Sequence, residues 1–172
     1  MLTLEQEKWI AHLSNKDKIS IIPFDPTSEE KFQQVKKKIQ SALGKEVPVE
    51  HHGATSLGIS GQDEIDIYIP IALTKFNSLV ELLKSIFGDP RSLYQLERAR
   101  FVTEEGNKHI DVFLINKEHD GWKNTLRFEK HLKSNPLDLQ KYKQLKENGD
   151  GLSVQAYYRK KIEFINDILS KT

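Results

Sequence analysis

EIDIYIP (residues 64–70) and KHIDVFLI (108–115) decide the fold of this chain, because each is a short apolar run interrupted by carboxylates. In an extended strand residues two apart share a face. Glu64 and Asp66 therefore point together while Ile65, Ile67 and Ile69 point into a core. Asp111 is flanked by Ile110, Val112, Phe113, Leu114 and Ile115, so its strand reads as mostly buried and its carboxylate calls for a metal ion or an arginine partner. If the two strands are neighbours, three carboxylates meet, and their mutual repulsion needs a divalent cation such as Mg²⁺ bridging to phosphate oxygens. The chemistry this pattern points to is phosphoryl or nucleotidyl transfer.

The first run follows the loop HHGATSLGISGQD (51–63). Gly53 lets the backbone approach a ligand closely, Thr55 and Ser56 supply hydroxyl and amide donors, and a helix starting at Ser56 would aim N–H groups at an anion. By itself a glycine followed by two hydroxyls is an ordinary turn; it gains meaning from the acid-x-acid strand behind it. Arg98 and Arg100 alternate toward one strand face, where they would either clamp a triphosphate or form a surface salt bridge. His51, His52 and His109 lie near the acids and leave open a His/Asp transition-metal site. Arg127 and His131, in TLRFEKHLK, face either the site or solvent. Tyr157 and Tyr158 beside Arg159, Lys160 and Lys161 would hold a nucleotide or an RNA end, or else form a core aromatic next to a basic helix face.

The setting is modest in size and charge. A chain of 172 residues fits one domain, read as residues 19–172 with a helical extension over 1–18. The net charge of +1 offers no global field for nucleic acid or an anionic membrane. With no cysteine, disulfides, zinc ribbons and thiol chemistry drop out together. No uninterrupted apolar stretch is long enough to cross a bilayer, which gives the expectation of a soluble cytoplasmic protein.

Periodicity supplies the remaining elements. Leu4, Trp9, Ile10 and Leu13 predict an amphipathic first helix capped by Thr3. ISIIPF (19–24) is an apolar run stopped by prolines, and Phe32, Val35, Ile39 and Leu43 stripe a helix from Thr27 or Ser28 to Gly44. VPVEHH (47–52) reads as a strand entering the loop. Phe76, Leu79, Leu82, Leu83, Ile86 and Phe87 stripe a helix over 74–87, and ARFVT (99–103) with KHIDVFLI forms a hairpin across Gly106 and Asn107. Helical patterns at 122–132, 136–146 and 153–169 fill the C-terminal third.

IIPFDPTSEEKFQQVKKKIQSALG, VEHHGATSLGISG, EIDI, HIDVFLI and WKNTLRFEKHLKSNPLDLQKYKQLK together resemble the GrpB family, over residues from about 19 to 169. The resemblance implies a nucleotidyltransferase-like fold of the polymerase-beta-like superfamily: α/β (α+β), a small mixed sheet flanked by helices, with a helical C-terminal segment. The superfamily pattern maps onto Gly53-Ala54, Glu64-Ile65-Asp66 and Asp111. It implies that Glu64, Asp66 and Asp111 carry catalysis with Gly53 and Ala54 at the phosphates; the residue reading adds Mg²⁺ or Mn²⁺ on the three acids and Thr55, Ser56, Arg98 and Arg100 to the phosphate-holding set. The acids and the loop together give the expectation of a nucleoside triphosphate and an acceptor hydroxyl on a small molecule, protein or RNA end as partners, while the resemblance itself implies no established substrate. Ala54 replaces the usual Ser, Glu64 the usual Asp, and Asp111 a frequent His. Ala54 and Glu64 favour the alternative of a non-catalytic nucleotide-binding module on the same fold; a protein-interaction domain is the third possibility.

Overall fold

At Gly106 and Asn107 the chain takes positive φ, +53° and +60°, and folds back on itself. Two successive left-handed residues are what the tightest hairpin turn demands. They join β4 (Arg98–Glu105) to β5 (Lys108–Asn116), the hairpin anticipated above. The computed structural model describes residues 1–171. With β1 (Glu50–His52), β2 (Glu64–Ile71) and β3 (Ser92–Tyr94) these strands form a mixed five-stranded sheet in the order β1-β2-β5-β4-β3. β2 runs parallel to β5 and the other pairs are antiparallel. The acid-bearing strands are therefore direct neighbours.

One face of the sheet is the core. Ile65, Ile67, Ile69, Ala99, Phe101, Ile110, Val112 and Leu114 are fully buried there. Two helices cover that face, α2 (Ser28–Leu43) and α4 (Phe76–Phe87). α2 buries the predicted stripe of Phe32, Val35, Ile39 and Leu43 and stops at Gly44, whose φ of +104° no other residue type adopts cheaply. In α4 Val80 is buried and Leu82 exposed, a correction to the expected stripe; a short 3₁₀ turn at Leu73–Lys75 precedes the helix.

Two sequence expectations shrink. The strand expected over 47–52 begins only at Glu50, because Pro48 has no N–H to give to a ladder. ISIIPF joins no sheet and makes one isolated bridge, Ile22 to Gly61.

The chain divides into two compact units, the sheet unit (24–58 and 63–123) and a helical unit (1–23, 59–62 and from 124 onward). The helical unit contains α1 (Leu4–Ala11), most of α5 (Asp120–Ser134), α6 (Pro136–Glu147) and α7 (Val154–Leu169). α1 starts with a capping box between Thr3 and Gln6, but of its apolar residues only Ile10 is buried, while Leu4 and Trp9 stay exposed. Polar bonds fasten α1 to α7, among them Arg159 to both carboxylate oxygens of Glu7 at 2.8 Å. Phe128, Tyr142 and Phe164 pack as an aromatic cluster. No helix among the described residues is long and apolar enough to cross a membrane.

α5 and α6 are pinned by His131, whose Nε2 lies 2.8 Å from Asp138. Its hydrogen bond, then that of Lys141, holds the Asp138 carboxyl at about 2 instead of 3.8. A carboxyl lowered on folding stabilises above its unfolded value and loses that contribution as pH falls toward its folded one. Asp138→Asn is therefore expected to flatten the fall in melting temperature between about pH 4 and about pH 2, read by circular dichroism.

Candidate functional site

On the sheet face opposite the core, register sets the polar residues in rows. Asp66 stands opposite Asp111, and Glu64 opposite His109. His52 of β1 is the next member of the Asp66 row. One ligand atom each from Glu64, His109 and Asp111 lies within 4.8 Å of the others, close enough to share one ion. Asp66, opposite Asp111 in register, has its carboxylate against Gly53. A Cβ on Gly53 would collide with Asp66 Oδ2, and φ there is +76°. The glycine is thus required twice, for its backbone and for the space beside the acid.

Asp111 is 3% exposed. The partner its burial demanded is an arginine on the neighbouring strand: Arg100 Nε donates to Oδ1 at 2.8 Å and Nη2 to Oδ2 at 3.0 Å, a bidentate fork. His109 Nε2 adds a contact at 3.3 Å. The Asp111 hydrogen bond is also the main cause that raises the Arg100 pKa, with further pull from the charges of Asp111, Glu64 and Asp66. Arg100 thus binds Asp111 directly and feels the charges of Glu64 and Asp66. This gives Arg100 the ion-pair alternative of the sequence reading, on a buried acid instead of at the surface.

The cradle also differs from expectation. α3 (Gly53–Ser56) is a single turn that ends at Ser56, where a helix was expected to begin, and Gly58 at φ +69° takes the chain out of helical geometry. Ser56 Oγ donates to Gly53 O at 3.0 Å. Thr55 Oγ1 is 2.8 Å from His51 Nε2, and His51 Nδ1 is 3.0 Å from Glu29. An ionised carboxylate only accepts, so Glu29 accepts from Nδ1–H, and in the neutral ring Nε2 accepts from the Thr55 hydroxyl. Hydrogen bonds from Gln33 and then His51 hold the Glu29 carboxyl below its usual range. Ser56 thus bonds within the turn and Thr55 bonds His51 of β1, which in turn meets Glu29 of α2; Ala54 carries no hydroxyl.

Other sequence candidates are engaged elsewhere. Arg98 lies over the Tyr94 and Phe113 rings. His52 pairs with Glu50, and Arg127 bonds Leu169 O. Tyr157 is buried in the helical unit and hydrogen bonded by Lys146, while Tyr158 packs edge-on against Trp9 with Lys161 over its ring. Of the tyrosine pair, Tyr157 follows the core alternative. Sequence reasoning missed Tyr68, Phe113 and Trp122, which stack beside the acids. The signal was available: alternation that aligns Glu64 with Asp66 carries on to Tyr68, and Asp111 leads to Phe113.

Removing Arg100 strands a buried charge. Arg100→Leu is expected to lower stability by about 2 to 3 kcal/mol, below the full cost of breaking a buried pair because solvent reaches the arginine side. Adding Asp111→Leu should restore most of the loss, both read from urea unfolding midpoints.

Comparison with known proteins follows from this geometry. The family described as GrpB protein matches residues 18–171. Among solved structures, the crystal structure of conserved protein GrpB from Enterococcus faecalis superposes with a TM-score of 0.68 at 19% identity, over 88% of this chain and 98% of that one. At that identity the likeness is one of fold. No curated protein matches. With nearly its whole length covered by the family pattern and the same fold in a family member, the chain belongs to the GrpB family.

Proposed function

We propose that this protein is a metal-dependent nucleotidyltransferase, moving a nucleoside monophosphate from a nucleoside triphosphate to an acceptor hydroxyl. The observation that carries the reading is the cluster of ligand atoms from Glu64, His109 and Asp111 within 4.8 Å of one another on the sheet face away from the core, with Asp66 opposite Asp111 and beside the Gly53 turn. The donor set fits a divalent ion: oxygen ligands suit Mg²⁺, and the His109 imidazole in the same trio widens the choice to Mn²⁺. Glu64, Asp66 and Asp111 would hold it. A bound divalent ion would offset charge on the α-phosphate and on the leaving pyrophosphate.

The chain's own groups have separable duties. Asp66 fixes the ion site next to the backbone of Gly53, which admits a phosphate closely because it has no side chain. Arg100 has 36% of its side chain exposed, so it can leave Asp111 when a divalent ion takes over that charge, and then bind a triphosphate oxygen. Once released, Asp111 can accept the proton of the acceptor hydroxyl. The acceptor is a small molecule, a protein or an RNA end.

One observation favours a second reading. The bidentate Arg100–Asp111 fork satisfies the buried acid without a metal, as a non-catalytic nucleotide-binding module on this fold would require. Turnover separates the two. Wild-type protein should transfer label from an α-³²P nucleoside triphosphate only with Mg²⁺ or Mn²⁺, and Asp66→Asn should reduce transfer at least a hundredfold with unchanged circular dichroism. Saturable nucleotide binding without product would support the module; wild-type transfer by Asp66→Asn would refute the site assignment.

A further inference from the structure

Aromatic groups line up across the sheet immediately beyond the acid row. Trp122, only 3% exposed, stacks on Tyr68 with centroids 5.3 Å apart, and Tyr68 stacks on Phe113 at 4.7 Å. On the far side of Phe113 the guanidinium of Arg98 lies 5.7 Å from its centroid and 5.2 Å from that of Tyr94 on the edge strand. A planar cation thus lies within cation–π reach of both rings. Tyr94 is 53% exposed, so the space between them opens to solvent at the edge strand.

We infer that the slot between Phe113 and Tyr94, filled here by the Arg98 guanidinium, is the binding site for the base of the nucleotide. Three features assign it. Phe113 is backed by Tyr68 and Trp122, which gives a rigid aromatic platform on the side away from the opening. The platform shares its sheet face with the acids, since Tyr68 and Phe113 are register partners just as Asp66 and Asp111 are. The Phe113 row lies two residues from the Asp111 row, about 7 Å along the strands, and Tyr94, whose partner Arg98 pairs with Ile115, lies one row farther, so a ribose with its α-phosphate spans the gap. A base held in the slot therefore directs its phosphates toward Glu64, Asp66 and Asp111.

Arg98 is the right occupant to be exchanged. Its flat guanidinium reproduces the shape of a base edge and keeps the two rings apart while the slot has no ligand. A cation over a partly exposed ring is held more weakly than a base stacked on one. Once displaced, Arg98 carries its charge on the phosphate side of the slot, where a triphosphate compensates for the lost ring contact. Stacking reads any base face alike, so the slot explains affinity for nucleotides as a class and not the choice among bases.

The inference rests on the triphosphate reading above, and the test separates the two. Isothermal titration calorimetry compares ATP, GTP, CTP, UTP and inorganic tripolyphosphate, each with Mg²⁺, on wild type, Tyr94→Ala, Tyr94→Phe and Asp66→Asn. Tyr94→Ala should weaken the nucleoside triphosphates about tenfold and leave tripolyphosphate unchanged, and Tyr94→Phe should match wild type. Asp66→Asn should weaken both kinds of probe. If Tyr94→Ala leaves every triphosphate unaffected while Asp66→Asn still abolishes tripolyphosphate binding, the slot is refuted and the phosphate site stands. Equal weakening of tripolyphosphate and nucleotides by Tyr94→Ala also refutes the slot, and failure of the wild type to bind any probe overturns both readings.

Discussion

Asp111 sits 3% exposed in the middle strand of the sheet, and a carboxylate in such a place stays ionised only if positive charge faces it. Arg100 provides that charge through two short hydrogen bonds from the adjacent strand. Much of the molecule's character follows from this pair. The strand order places β5 between β2 and β4, so Asp111 has the Glu64 and Asp66 strand on one side and the arginine strand on the other. The same cation feels the charges of Glu64 and Asp66. One guanidinium offsets only one of the three carboxylates, and the excess of negative charge is what a divalent ion would answer in the proposed function.

The sheet separates structure from chemistry by alternation. Odd-numbered residues of β2, from Ile65 to Ile69, and their register partners on β5 bury completely under α2 and α4. Even-numbered residues of β2 and their partners form the opposite face, with acids in the first two rows and aromatic rings in the next. A rigid apolar layer beneath fixes where those side chains start. That is the condition for a site whose ligands must be held to within a fraction of an ångström. A second ion pair supports the entry to β2, where the buried Lys108 meets Asp63 at φ +64° just before Glu64.

What could be read in the sequence was whatever depends on short-range pattern. The boundaries of β2, the Gly106-Asn107 hairpin and the four-residue stripe of α2 follow from alternation, positive φ and helical spacing, all local properties. β3 was not legible, since Ser92–Tyr94 is extended because it pairs with β4 and not because of its own composition. The exposure of Trp9 was equally hidden; spacing shows which residues share a helix face, not whether a partner covers all of it. At the site, alternation placed Glu64 with Asp66, and burial demanded a cation for Asp111. That the cation would be Arg100 depended on register between two strands. The Thr55 hydrogen bond was equally hidden: its partner His51 is four residues away, but the Glu29 at the other ring nitrogen comes from α2.

Whether the guanidinium gives way to a metal ion is the point on which the functional account turns, and paramagnetic broadening reads it directly. Mn²⁺ added in small amounts to ¹⁵N-labelled protein with a nucleoside triphosphate should broaden first the amides of residues 53–54, 64–66 and 109–111, and an excess of Mg²⁺ should restore them. Broadening scattered over surface acids, or confined to any other part of the chain, would contradict the account.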